Sequence, residues 1–252
     1  MAKKKTRTPP PPRRVQAPQK RTGKQAAPPD DDLGLRHRRM LYAFSALGII
    51  GLIVAVAVIA LAGGSNADAK AVAADMTTAG CTYKTVKAYV PPGQSTHVQS
   101  LTKKFPWNTS PPSNGQHYPE WAVWGFYTGA VNPRQVVHNE EHGGVILWWG
   151  SQVSQATVDQ LRAFYDEEPV GVFGTLYPSL GAKIAITAWT GDTSRYQQNG
   201  YYGDGHIAIC PSYTAATKKA FTTFRGAYRG HGPEGIPLCA DHPGDGPNKS
   251  SC

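Results

Sequence analysis

The chain has 252 residues, 40% of them hydrophobic, and its 26 Lys and Arg residues against 17 Asp and Glu residues give a formal net charge of +9. The first forty residues hold 12 of the basic and 3 of the acidic side chains, so residues 41–252 hold 14 of each and are neutral overall. The basic charge therefore does not indicate a nucleic-acid-binding domain, because no aromatic or folded module accompanies it.

Residues 1–40 combine Lys and Arg runs with repeated prolines and have almost no apolar side chains. A segment of this composition cannot bury a core. It is predicted to be a disordered cytoplasmic tail that its charge holds near anionic lipid headgroups. The alternative interpretation of the same residues is a proline-rich docking segment for a cytoplasmic partner.

Residues 41–62 form an uncharged apolar run that is long enough, as a helix, to cross a hydrocarbon core of about 30 Å. A cleaved signal peptide would be shorter and would not follow a tail of this length. Arg36, Arg38 and Arg39 flank only the N-terminal end of the run. The positive-inside rule therefore predicts a single-pass protein of the cell membrane, with a cytoplasmic N-terminus and an extracytoplasmic C-terminal part.

Beyond the predicted transmembrane helix the composition indicates three segments. Residues 63–80 are small and polar, and we expect a linker or helical stalk there. Residues 81–239 are sufficient for one extracytoplasmic domain with a single core. Residues 240–252 are expected to be a flexible tail. The predicted partners are membrane lipid and, as a hypothesis, a membrane-protein complex.

All four cysteines follow the predicted transmembrane helix and so lie on the side where disulfides form. Four cysteines allow three pairings, and the sequence does not choose among them. We expect at least one disulfide between two of Cys81, Cys210 and Cys239. Cys252, in the C-terminal tail, is expected to be mobile or to pair with Cys239. A thiol-redox role has little support, because the chain has no C-x-x-C motif.

The extracytoplasmic domain is predicted to be α+β, with a loop-rich N-terminal half. Residues 81–131 are rich in Pro, Gly, Trp and Tyr, which is typical of loops and short strands that wrap a site or a sheet edge. The order of the strands and helices predicted after residue 131 indicates an α/β sandwich, with helices on one face of a mainly antiparallel sheet. A ferredoxin-like split β-α-β arrangement is the expected topology. The predicted strands are 145–149, 170–176, 183–190 and 206–210, and the predicted helices are 154–166 and 212–228.

A short helix before the first of these strands carries two imidazoles and two carboxylates, in the segment His138-Asn139-Glu140-Glu141-His142. Asn132 with Pro133 is typical of a helix start, and Gly143 of a helix end. His138, Glu141 and His142 then share one helix face. Two His ligands with a carboxylate beside them, as third ligand or general base, suit a divalent metal. The segment also matches the H-x-x-E-H pattern of inverted zinc peptidases. The alternative is a hydrogen-bonded structural His pair.

Two further histidines lie in the loop-rich half, His97 before Val98 and His117 before Tyr118. The composite of H-V, P-P-x-x-G-x-H-Y and V-H-x-x-E-H-G-x-V resembles the bacterial, mainly actinobacterial, membrane-protein family known as domain of unknown function 3105. The resemblance covers residues 81–239.

The resemblance extends to later segments of the chain, including Gly232-Pro233-Glu234 near its end. The chain departs from the family pattern at Glu140, where the family usually has an apolar residue. It also has Trp where the family usually has Tyr, at position 148 or 149. Neither departure removes a candidate ligand.

The resemblance implies a shared metal or catalytic site, because it brings four histidines into one domain. The candidate metal ligands are His97, His117, His138 and His142, with Glu141 as candidate catalytic base. Four imidazoles without a thiolate would fit copper or a closed zinc site, whereas three imidazoles and an open position would fit catalysis. The three other histidines of this half of the chain, His206, His231 and His242, have no such context.

Three functions are compatible with these residues. The favoured one is a membrane-anchored extracytoplasmic protein that binds a transition metal, zinc or copper, through its His cluster. The second is a metal-dependent envelope hydrolase, although Gly143 and Gly144 end the helix earlier than in zinc peptidases. The third is a non-catalytic accessory subunit of a membrane complex, in which the His/Glu cluster only fixes the loops against the sheet.

Overall fold

The computed structural model describes residues 68–238. The predicted transmembrane helix at 41–62, the tails at 1–40 and 240–252, and Cys239 lie outside these residues. Within the described part, no helix is both long and apolar enough to cross a membrane.

A five-stranded mixed sheet organises the described residues, with the strand order β1-β5-β4-β2-β3. The pairs β1–β5, β5–β4 and β4–β2 are antiparallel, and the pair β2–β3 is parallel. The strands are rich in β-branched and aromatic residues, which favour extended backbone. They are β1 (Thr82–Lys87), β2 (Val145–Trp149), β3 (Val172–Leu176), β4 (Ile184–Thr190) and β5 (Asp204–Cys210).

Three helices cover one face of the sheet. They are α1, whose described part is 68–78, α3 (Gln155–Glu167) and α4 (Ala215–Tyr228). Their apolar side chains, such as Leu161 and Phe221, pack on alternate residues of the strands and form the larger core. Ser154 caps α3 and Thr214 caps α4 by accepting a hydrogen bond from a backbone N–H of the first turn.

The opposite face of the sheet is covered by α2 (Pro133–Glu141) and by the loop-rich residues 88–132. Trp124 and Val136 pack there against Ile146, Trp148 and other sheet residues in a second core. Because both faces are covered, all five residues of β2 are buried. Helix α2 therefore packs on the sheet through this second core.

The α+β class, and every strand and helix predicted after residue 131, are confirmed with bounds that differ by a few residues. The split β-α-β arrangement is wrong, because the parallel strands β2 and β3 are direct neighbours with no strand between them. The expectation of helices on one face only is also wrong, because α2 covers the second face.

Two further expectations concern the start of the domain. Residues 68–78 are helical, but they are not a free stalk, because Val72 and Met76 are buried in the larger core. A disulfide joins Cys81 to Cys210, which confirms that two of the three predicted cysteines pair. The register that places Thr82 opposite Ile209 brings these cysteines together across the pair β1–β5.

Candidate metal centre

Helix α2 carries the His/Glu segment, which is buried. The side chain of Asn132 accepts a hydrogen bond from Arg134 N, Pro133 occupies the first turn, and His142 is the C-cap residue. Residues 136–141 are all buried. Gly143 follows the helix with a φ of +89°. It lies against Gly232, and a Cβ atom on Gly232 would meet backbone atoms of residues 141 and 143. This close approach brings the C-terminal segment of the described chain to the end of α2.

The loop-rich half supplies two histidines through a short backbone pairing. His97 and His117 form an isolated parallel bridge, in which Val98 N donates to His117 O at 2.8 Å and His117 N donates to Thr96 O at 2.8 Å. Tyr118 N donates to Arg134 O at 3.0 Å, which ties this loop to the first turn of α2. These backbone contacts place the rings of His97 and His117 beside the face of α2 that carries His138 and Glu141.

Three imidazole rings surround one carboxylate oxygen. The ring centroids of His97, His117 and His138 are 4.8, 4.9 and 4.9 Å apart, which is close to an equilateral triangle. Oε2 of Glu141 lies 3.1 Å from His97 Nε2, 2.9 Å from His117 Nε2 and 3.9 Å from His138 Nε2. Ligands at about 2.0–2.1 Å from a tetrahedral ion are about 3.3–3.4 Å apart. The distances from Oε2 to His97 and His117 are close to this value, and all four ligand atoms lie within 4.8 Å of one another.

The hydrogen bonds made by the outer ring nitrogens orient the inner ones. Nδ1 of His117 lies 2.8 Å from Gly115 O, and Nδ1 of His138 lies 3.0 Å from Tyr118 O. Because a carbonyl oxygen only accepts, each neutral ring carries its proton on Nδ1 and directs the lone pair of Nε2 into the cluster. Nε2 of His117 is buried and has no hydrogen-bond partner among the described residues, although it lies 2.9 Å from Oε2 of Glu141. A ring nitrogen and a carboxylate oxygen this close require a positive charge between them, which a proton or a metal ion supplies.

The electrostatics of the cluster keep two of its donors, His138 and Glu141, in their binding forms. Burial and the neighbouring His117 lower the pKa of His138 to about 3, so this imidazole is neutral at physiological pH. Burial alone would raise the pKa of Glu141, but His117 together with hydrogen bonds from His97 and Tyr196 lowers it below its ordinary value. The pKa of His97 is raised, because its ring is hydrogen-bonded to Glu141; burial offsets part of this effect. A neutral His138 and an ionised Glu141 are the forms that bind a metal.

His142 lies beside the cluster and is turned toward a residue far along the chain. Its Nε2 is 3.0 Å from Nε2 of His138 and 3.1 Å from Oε2 of Glu234. The candidate donors fall into two sets, each with all ligand atoms within 4.8 Å of one another. The first set is His97, His117, His138 and Glu141, and the second is Glu141, His142 and Glu234.

The structure thus brings all five predicted site residues into one region and adds two that the sequence did not indicate. Tyr196 donates a hydrogen bond from its phenol to Oε1 of Glu141, and Glu234 contacts His142. Glu234 stands in a segment that carried the family resemblance. No sequence feature distinguished Tyr196 from the other residues of its polar loop.

Three other candidates lie outside the cluster. Glu140 points to the sheet, where Oε1 accepts a hydrogen bond from Thr187, while Oε2 has no partner in the described part of the chain. Burial raises the pKa of Glu140 well above its ordinary value. His206 is buried on β5 among hydroxyl groups. His231 belongs to neither donor set.

The family described as protein of unknown function (DUF3105) matches residues 97–199 of the chain. The matched segment includes all four residues of the first donor set as well as His142. The match therefore supports the resemblance seen in the sequence motifs. No curated protein and no solved structure matches the chain.

Proposed function

We propose that the protein is a membrane-anchored, extracytoplasmic metal-binding protein that holds one first-row divalent ion between His97, His117, His138 and Glu141. The observation that carries this proposal is the triangle of three imidazoles around Oε2 of Glu141. In this arrangement Glu141 is the fourth ligand, because Oε2 lies within 4 Å of all three ring nitrogens, as atoms that share one ion do.

The chemistry of the donors suits zinc. The first donor set has three imidazoles, one carboxylate and no sulfur. Zinc takes His and carboxylate ligands in tetrahedral geometry, whereas Cu(II) prefers square planar sites and Cu(I) prefers soft sulfur ligands.

The membrane anchor and the location are supported by features outside the site. The uncharged run at 41–62 follows three arginines, which favours a cytoplasmic N-terminus. The Cys81–Cys210 disulfide is of a kind that forms and persists outside the cytoplasm.

The two adjacent buried glutamates of α2 provide a matched test. We expect the purified full-length chain to bind zinc in competition with a fluorescent chelator. Glu141→Gln should lower the affinity more than about a hundredfold, beyond the range seen for groups that only orient ligands. Glu140→Gln should leave it unchanged, because Glu140 faces Thr187 and not the cluster. Absence of zinc binding by the native chain, or equal affinities of the two variants, would overturn the proposal.

A metal-dependent hydrolase is the second candidate. It is favoured by access to solvent, since the side chains of His97 and Glu234 are 36% and 25% exposed. Hydrolysis of envelope peptides or esters that stops on addition of a chelator and resumes with zinc would favour it. An accessory subunit with a purely structural cluster requires no ion, so the zinc titration above separates it from both metal-dependent functions.

A further inference from the structure

We infer that the centre holds two metal ions, with a second divalent ion bound between Glu141, His142 and Glu234 and with the Glu141 carboxylate bridging the pair. This inference rests on the proposed function, since the first ion occupies the other side of the bridge. The second ion is of the same chemical class as the first, a zinc-like or manganese-like cation, because one imidazole and two carboxylates suit both.

The spacing of the second donor set carries the inference. The ligand atoms of Glu141, His142 and Glu234 all lie within 4.8 Å of one another. Nε2 of His142 and Oε2 of Glu234 are 3.1 Å apart, which is close to the separation of two ligands that share one ion. His142 therefore faces a second carboxylate instead of completing the triangle of the other three histidines.

Glu141 is able to serve both ions because its two oxygens have different neighbours. Oε2 faces the three histidines of the first set. Oε1 accepts one hydrogen bond from Tyr196, which leaves it a further lone pair, since a carboxylate offers about four acceptor positions in all.

The rings of His138 and His142, at the end of α2, lie edge to face between the two sites. Nε2 of His138 and Nε2 of His142 are 3.0 Å apart, and the lone pair of His138 belongs to the first site because its Nδ1 donates to Tyr118 O. Neighbouring ligands on two ions about 3.5–4 Å apart have this kind of separation. The first set offers four donors, whereas the second offers three and shares one of them with the first, so the second ion should bind after the first.

Stoichiometry tests the inference. The metal-free full-length chain is dialysed against buffered free Zn²⁺, and zinc per chain is measured by elemental mass spectrometry. The native chain should bind two zinc ions in two steps, and Glu234→Gln should bind one, with the affinity of the first step unchanged. Glu167→Gln is the matched control, because Glu167 pairs with Lys218 far from the cluster, and it should bind two.

Cobalt provides a second readout that does not depend on counting ions. Two Co²⁺ ions bridged by one carboxylate couple magnetically, so a second equivalent should diminish the paramagnetic resonance signal of the first in the native chain but not in Glu234→Gln. One zinc ion in the native chain, with Glu234→Gln identical to it, would overturn the inference and leave the proposed function intact. Two ions in both chains would also overturn it, and no bound zinc in the native chain would overturn both proposals.

Discussion

His206 gives the protein an acid-sensitive contribution to stability that is independent of the metal centre. The ring is 6% exposed on β5. Its Nδ1 lies 3.1 Å from Thr85 Oγ1, its Nε2 lies 2.8 Å from Thr190 Oγ1, and Tyr228 stacks on it with ring centroids 3.9 Å apart. Burial lowers the pKa of His206 from 6.5 to about 4, and the charge of Asp204 offsets this only in part.

The sign of the effect follows from the two protonation states. Between pH 6.5 and about 4 the unfolded chain takes up a proton on His206 that the folded chain does not. The free energy of unfolding therefore falls as the pH is lowered through this window, by about 1.4 kcal/mol for each pH unit. The contribution is fully present above pH 6.5, and about 3 kcal/mol of it is lost by pH 4.

Urea denaturation of the native chain and of His206→Gln measures this directly. Both are unfolded at pH 7.5 and pH 4.5 in the presence of a chelator, so that the His/Glu cluster is metal-free in each. We expect the difference in unfolding free energy between the two chains to shift by about 2 to 3 kcal/mol in favour of the variant at the lower pH. Parallel loss of stability in the two chains would show that the pKa of His206 is not lowered in the folded protein.

Three further predictions concern the disulfide, the core and Tyr196. Replacing both Cys81 and Cys210 by Ala opens a link between residues 129 apart and should lower the unfolding free energy by up to about 5 kcal/mol in denaturant melts; a change below about 1 kcal/mol would contradict it. Leu161→Ala should cost about 2–5 kcal/mol, because the side chain is fully buried, whereas Leu101→Ala, at an exposed position, should change thermal stability by less than about 0.5 kcal/mol. Tyr196→Phe removes the hydrogen bond to Glu141 and should weaken zinc binding about 10- to 100-fold in a chelator competition. Its circular dichroism spectrum should remain that of the native chain. Unchanged zinc affinity would show that Tyr196 does not position the carboxylate.

Local signals in the sequence are sufficient to predict α2 and the strands and helices that follow it. The cap residue Asn132, Pro133 and the glycine at position 143 define a helix through nearest neighbours alone, and the structure has Asn132 as the N-cap of α2. Residues 68–78 were less clear, because only Val72 and Met76 among large apolar side chains mark a buried face in an alanine-rich stretch. Their packing depends on the sheet, which the local sequence does not contain.

Contacts between distant residues account for what the sequence did not predict. The sheet order depends on pairing across the whole domain, so the adjacency of β2 and β3 is not contained in either strand. Glu234 reaches His142 only because Gly232 packs against Gly143. Likewise Tyr196 reaches Glu141 from a loop 55 residues further along the chain. The residues of the first donor set were predictable from their type, whereas their partners required the fold.

X-ray absorption spectroscopy of the full-length chain loaded with one equivalent of zinc measures the ligands of the proposed ion. We expect four nitrogen or oxygen ligands at about 2.0–2.1 Å with no sulfur. The outer-shell scattering should correspond to three imidazoles, and to two in His117→Gln, whereas His206→Gln should give the native spectrum. A six-oxygen shell without imidazole scattering, or a spectrum that His117→Gln leaves unchanged, would contradict a zinc site built from His97, His117, His138 and Glu141.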